Sequence, residues 1–245
     1  MINIDFFLNL CKNNAMGVVF KFSMPFILLF CIQIVYGIDL TKKEIDACLT
    51  GEYNRGFNYN IGISAAGGIE LNEIFKLRSG VFYKKGADSS EINSFFGSGY
   101  YPFSEIPLSF SLYYIYNGLP EYKNNSHSIL SFISYNTKRA GISLGPNFKF
   151  TSFLDEAAIF EFIISSLIYF NFINNETLRI GISAGNFSEF YTRNIGAYSM
   201  SLNAGIRLND NLLLINELEF LQSGGDGFAS TFFGLVLRGG VKYTW

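Results

Sequence analysis

From Gly234 to Trp245 the chain alternates with a period of two. Trp245, Tyr243, Val241, Gly239, Leu237 and Leu235 fall on one side, and Thr244, Lys242, Gly240, Arg238, Val236 and Gly234 on the other. That period belongs to a β-strand, whose successive side chains point to opposite faces. Similar segments recur along most of the chain, separated by turn-forming residues. Tyr59, Ile61, Ile63 and Ala65 oppose Asn58, Asn60, Gly62 and Ser64; Phe75, Leu77, Val81 and Tyr83 oppose Lys76, Arg78 and Gly80. Phe110, Leu112, Tyr114 and Tyr116 oppose Ser109, Ser111 and Tyr113, while Ala140, Ile142, Leu144, Phe148 and Phe150 oppose Gly141, Ser143, Gly145, Asn147 and Lys149. The segments at 178–187 and 196–208 repeat the pattern with Gly, Ser, Asn and Arg on the polar side. Residues 126–137 carry apolar groups on both faces and leave their orientation undecided.

The polar faces set the fold class. A soluble sandwich would turn Lys and Glu outward to water. Here those faces hold Gly, Ser and Asn with isolated charges, which suits the crowded inside of a barrel. The apolar faces carry Tyr and Phe toward their ends, as lipid flanked by aromatic girdles requires. A sheet in lipid cannot leave an edge unpaired, so it must close. The expectation is an all-β, closed, antiparallel up-and-down transmembrane barrel over 52–245. Composition agrees: aromatic residues make up 18% and charged residues only 16%, with net charge −2. An average soluble domain carries about 25% charge. Nothing pulls the chain toward nucleic acid.

The front end reads as an address. Residues 16–37 combine Lys21, an apolar run from Pro25 to Val35, and Val35-Tyr36-Gly37 as a cleavage site. This predicts a signal peptide removed after Gly37, with 1–15 as an upstream extension. Cys31 follows Phe30, a poor context for lipid attachment. Beyond the signal only Cys48 remains, so the mature chain has no internal disulfide. Residues 38–51, with Lys42, Lys43, Glu44 and Asp46, read as a short periplasmic lead.

Trp245, Tyr243, Val241 and Leu237 resemble the C-terminal β-signal of bacterial outer-membrane proteins, and the hairpin-rich region resembles the small OmpA/OmpX-type barrels. The richness in Asn, Ile and Phe is similar to that of spirochaete members. The resemblance implies a place in the bacterial outer membrane and recognition of Leu237, Val241, Tyr243 and Trp245 by the barrel assembly machinery. No peptidoglycan-binding segment follows, so the anchoring role of larger OmpA-type proteins is not implied.

Both ends of such a barrel share the periplasmic side, so the strand number is even. Counting back from Trp245 gives ten, or eight if two segments merge. Ten strands turn 84–104 into a long periplasmic connection. Moving the first turn to Asn72-Glu73 removes it but disturbs the parity elsewhere. The stretch 157–173 could alternatively be a membrane helix at the short limit for crossing about 30 Å. Its β-branched and aromatic residues, with Glu161 inside, favour a strand carrying Phe160, Phe162, Ile164, Ile168, Phe170 and Phe172 on its lipid face.

The lumen is expected to be lined by Lys76, Arg78, Arg139, Lys149, Glu161, Arg179, Arg207, Glu217, Glu219, Arg238 and Lys242. Such charges must pair or be hydrated. They form either a salt-bridged plug or a narrow pore whose excess of bases favours anions. His127 is the sole histidine, and Ser126 and Ser128 fall on the opposite face of its strand, so no local Ser–His pair exists and no enzyme is expected. No residue cluster points to a metal or cofactor. Two roles follow: porin-like passage of small solutes, or a non-conducting surface barrel. The second would bind host or environmental ligands through loops at 117–125, 151–156 and 188–194.

Overall fold

In the computed structural model the described residues run from Leu40 to Trp245, apart from 55–57, 72–73, 88, 104, 123, 154–158, 193–196 and 225–229. The expected signal peptide and the extension before it lie outside the described residues.

Twelve antiparallel strands close a barrel, each bonded to its neighbours in the chain. They are β1 (Leu40–Asn54), β2 (Asn58–Leu71), β3 (Phe75–Lys85), β4 (Ser90–Tyr100), β5 (Leu108–Leu119) and β6 (Asn124–Asn136). They continue with β7 (Ala140–Phe153), β8 (Ile159–Asn174), β9 (Leu178–Gly185), β12 (Ala197–Arg207), β13 (Leu212–Gly224) and β14 (Ser230–Thr244). A two-stranded hairpin, β10 (Phe187–Ser188) and β11 (Tyr191–Thr192), intervenes between β9 and β12. The seam joins β1 to β14, from Glu44 opposite Thr244 up to Asn54 opposite Gly234. Lys43 and Trp245 exchange two backbone hydrogen bonds at its lower end, 2.8 and 3.0 Å long.

Three expectations are corrected here. The strand number is twelve, above the eight to ten counted from sequence. The lead drawn at 38–51 is, from Leu40 on, the first strand: Glu44, Asp46 and Thr50 are buried on its inner face while Ile45 and Leu49 are exposed outside. Its acids and lysines look like a solvated leader only while their partners on other strands are unknown. The connection drawn at 84–104 contains β4, paired to β3 from Phe75 opposite Tyr100 to Lys85 opposite Ser90. With β2 ending at Leu71, β3 starting at Phe75 and β4 added, the parity is even again.

The outer surface is the apolar one. Ile61, Ile63, Val81, Leu112, Ile133, Leu144, Phe160, Phe162, Ile164, Ile168 and Phe170 are all exposed, as are Leu237, Val241, Tyr243 and Trp245. A patch this extensive has no place in water and makes the barrel a membrane-spanning one. Among the described residues no helix is long and apolar enough to cross a membrane. The stretch once readable as a helix is β8, with Phe160, Phe162, Ile164, Ile168, Phe170 and Phe172 outward and Glu161, Ile163 and Ser165 inward.

Candidate functional site: an occupied lumen

The lumen has two unlike walls. One is ionic and is built mainly by β1, β3, β13 and β14, with single contributions from β4, β7 and β8. Glu44, Gly68 and Arg78 stand opposite one another on β1, β2 and β3. A Cβ at Gly68 would lie 3.0 Å from the Glu44 side chain. Glycine there clears a path across β2, so Glu44 reaches Lys76 at 3.0 Å and Arg78 at 3.7 Å. Glu44 also holds Lys242, at 2.5 Å, and Arg78 pairs with Asp46. Further round, Arg238 bridges Glu217 at 2.6 Å and the almost fully buried Glu219 at 2.7 Å. Toward the end remote from the chain termini, Lys84 joins Glu52 and Glu91 at 2.9 and 2.6 Å, and Lys149 faces Glu161 at 3.8 Å.

The other wall is apolar. Ala66, Phe95, Ile115, Leu130 and Phe132 are buried on the inner faces of β2, β4, β5 and β6, with Tyr113 packed against them. This settles 126–137: Leu130 and Phe132 point in, and Ile129 and Ile133 point out. A Cβ at Gly80 would come within 2.7 Å of both Ala66 and the Phe95 ring, so only glycine admits that ring beside β3.

The hairpin spans the two walls. The loop at 188–194 was expected to project outward, but its described part, with β10 and β11, folds into the barrel. Phe187 lies 4.7 Å from the Phe132 ring and 5.2 Å from Tyr113. Phe190 meets Phe95 edge-on at 5.0 Å and Phe82 at 5.8 Å. Between them Glu189 turns the other way and pairs with Arg78 at 3.3 Å. The base is fastened by Asn186, where the chain leaves the wall. Its side chain accepts from Ser166 N–H at 2.8 Å and donates to Ile164 C=O at 2.9 Å. It thereby extends the β8 ladder by one amide beyond the last β9 pair, Leu167 with Gly185.

Of the residues expected to line the lumen, Lys76, Arg78, Lys149, Glu161, Glu217, Glu219, Arg238 and Lys242 lie on the inner wall in the ion pairs just described. Arg179 and Arg207 share inner-face parity with Gly181 and Gly205, but are exposed at the rim nearest the termini. Arg139 is corrected: it belongs to the exposed 137–139 turn, because β6 ends at Asn136 and β7 begins at Ala140. The sequence reading missed Lys84, Glu91 and Glu189, and drew Glu44 and Asp46 outside the barrel. With them counted, acids outnumber bases in the ion pairs along the described inner wall, so the excess of bases argued for anion preference is gone. The missed signal was cross-strand complementarity: Asp46 stands opposite Lys242, and Glu44 is in line with Arg78 across Gly68.

His127 lies on the outer face, its Nδ1 bonded to the Tyr114 hydroxyl at 2.7 Å, with Tyr116 bonded to Asn125 beside it. Ser126 and Ser128 are buried on the inner face.

Below the hairpin, toward the termini, is a cavity of about 300 Å³. Lys76, Arg78 and Glu189 form one side of it, and Ser109, Ser111, Ser134 and Ser143 another.

No protein-family model and no curated protein sequence matches this chain. Solved structures do. The KdgM porin in complex with disordered oligogalacturonate superposes with a TM-score of 0.55 at 14% identity, covering 82% of this chain and 99% of the porin. The NanC porin gives 0.55 at 8% identity, over 80% and 98% of the two chains. The translocator domain of the autotransporter NalP from Neisseria meningitidis gives 0.53 at 10% identity, over 93% and 97%. The shared feature is the fold, a closed barrel of the outer-membrane type.

Proposed function

We propose that this protein resides in a bacterial outer membrane and passes small solutes through a lumen narrowed by the β10–β11 hairpin. One observation carries the reading: a chain segment folds inside a closed barrel and meets both an ionic and an aromatic wall, leaving a polar cavity beneath it. A barrel that served only as a lipid-embedded anchor would need no such arrangement, since its own side chains could fill a narrower interior. Passage needs polar lining and a constriction with a definite shape, and both are in place. Two of the superposed barrels are porins, which fits. The solute is not acidic by default, because acids outnumber bases in the ion pairs of the described inner wall. No catalytic role is part of the reading, and neither a cofactor nor a metal is invoked.

Within the same reading, Leu237, Val241, Tyr243 and Trp245 serve the barrel assembly machinery as the terminal signal, and a cleaved signal peptide delivers the chain to it. Outer-membrane lipid is the partner of the apolar belt.

Planar-bilayer recording of refolded protein tests passage. Wild type is expected to give small, discrete conductance steps. Replacing 187–192 by a Gly-Ser linker is expected to enlarge them several-fold while heat-modifiable gel migration stays intact. Silent bilayers with both proteins would overturn the proposal.

A second reading is favoured by the tight aromatic packing of Phe187 and Phe190: a closed barrel that acts at the surface through its outer turns, toward host or environmental ligands. It forecasts silence from wild type and conductance only after hairpin removal.

A further inference from the structure

The cavity under the hairpin deepens the passage reading, on which this inference rests, by naming a class of solute. Its charged side is already neutralised. Lys76 is held by Glu44 at 3.0 Å, and Arg78 by Glu189 at 3.3 Å and by Asp46. An anion entering here would have to take a base from a buried carboxylate, and a cation would have to take an acid from its base. Either exchange strands a charge in a confined site, which is strongly unfavourable. An uncharged solute meets no such penalty.

The remaining wall is made for hydroxyl groups. Ser109 and Ser111 of β5 stand beside Ser134 of β6 and Ser143 of β7, with the Ser134 hydroxyl donating to Ser143 at 2.8 Å. A serine hydroxyl both donates and accepts, so a row of them matches a ligand whose own groups do the same. Tyr113, Phe132 and Phe187 add ring surfaces around the same space, suited to the C–H faces of a saturated ring. The volume is at the lower end of the roughly 300–1,000 Å³ usual for small-molecule sites. We infer that this cavity is a binding site for an uncharged, polyhydroxylated solute of monosaccharide size, with the Arg78–Glu189 pair as its roof.

Three ring compounds of the same size but different charge test it: glucose, glucuronate and glucosamine. Saturation-transfer NMR on the full refolded chain reads binding directly, in an amine-oxide detergent because glycoside detergents would compete. Glucose is expected to give a saturable signal, and the two charged sugars a weaker one. Ser109→Ala with Ser111→Ala is expected to weaken glucose about tenfold, the loss of one or two hydrogen bonds of about 1 kcal/mol each. Ser111→Leu, which fills the space, should abolish the signal, and heat-modifiable migration checks that each variant folds. Tighter binding of glucuronate or glucosamine, an unchanged signal in the double variant, or no saturable signal at all overturns the site. Glucose binding in a protein with silent bilayers would sink passage and leave the site standing. Channel steps without glucose binding would do the reverse.

Discussion

The two walls of the lumen solve the same problem in opposite ways. On β1, β3, β13 and β14 the interior is filled by charges that neutralise one another, and glycine at 68 lets a carboxylate reach across a strand. On β4, β5 and β6 it is filled by rings, and glycine at 80 gives Phe95 its place. The ionic wall gains geometry more than energy, because desolvation offsets most of what pairing returns. The aromatic wall gains energy from area buried and is less particular about contacts. The hairpin uses both. Phe187 and Phe190 anchor it, and Glu189 fixes its orientation.

The largest way to break this contrast is to empty the aromatic wall. Phe95→Ala removes a ring at 2% exposure that supports Phe190, and should cost about 3–5 kcal/mol in urea unfolding followed by tryptophan or tyrosine fluorescence. Glu219→Ala strikes the ionic wall. Arg238 keeps Glu217, so the loss should be smaller, about 1.5–3 kcal/mol, by the same measurement. If the two variants reversed in order, pairing rather than packing would dominate the interior. Asn186→Ala should cost about 1 kcal/mol in stability but raise protease sensitivity within the hairpin, since two bonds to β8 disappear. The smallest effect belongs to the outside: Tyr114→Phe removes the hydroxyl from His127 and should shift stability by less than about 1 kcal/mol.

The same contrast explains what could be read from the chain. Outer faces were legible wherever lipid imposes a strict alternation, as on β8, where Phe160, Phe162, Ile164, Ile168, Phe170 and Phe172 point outward while Glu161 does not. Inner faces were not, because their neighbours come from distant strands. On β4 the outward set is Ile92, Ser94, Phe96, Ser98 and Tyr100, and the inward set includes Asn93, Phe95 and Gly97. Neither face is uniformly apolar, so no period shows. On β1, Glu44 and Asp46 mean burial only once Lys76, Arg78 and Lys242 are in register beside them. The hairpin was hidden for a third reason: "NFSEF" carries turn residues that suit a loop at the surface as well as one inside.

The seam bonds between Lys43 and Trp245 join residues about as far apart in sequence as the barrel allows. Every other strand pairing is local, made by a hairpin that forms soon after its second strand is available. Closure alone brings the first and last strands together, and so carries the largest loop-closure entropy and the slowest kinetics of the pairings. Until it happens, β1 and β14 are two open edges, and Glu44 waits for Lys242. The ionic wall therefore completes last, and the seam is where a stalled assembly would leave the barrel open.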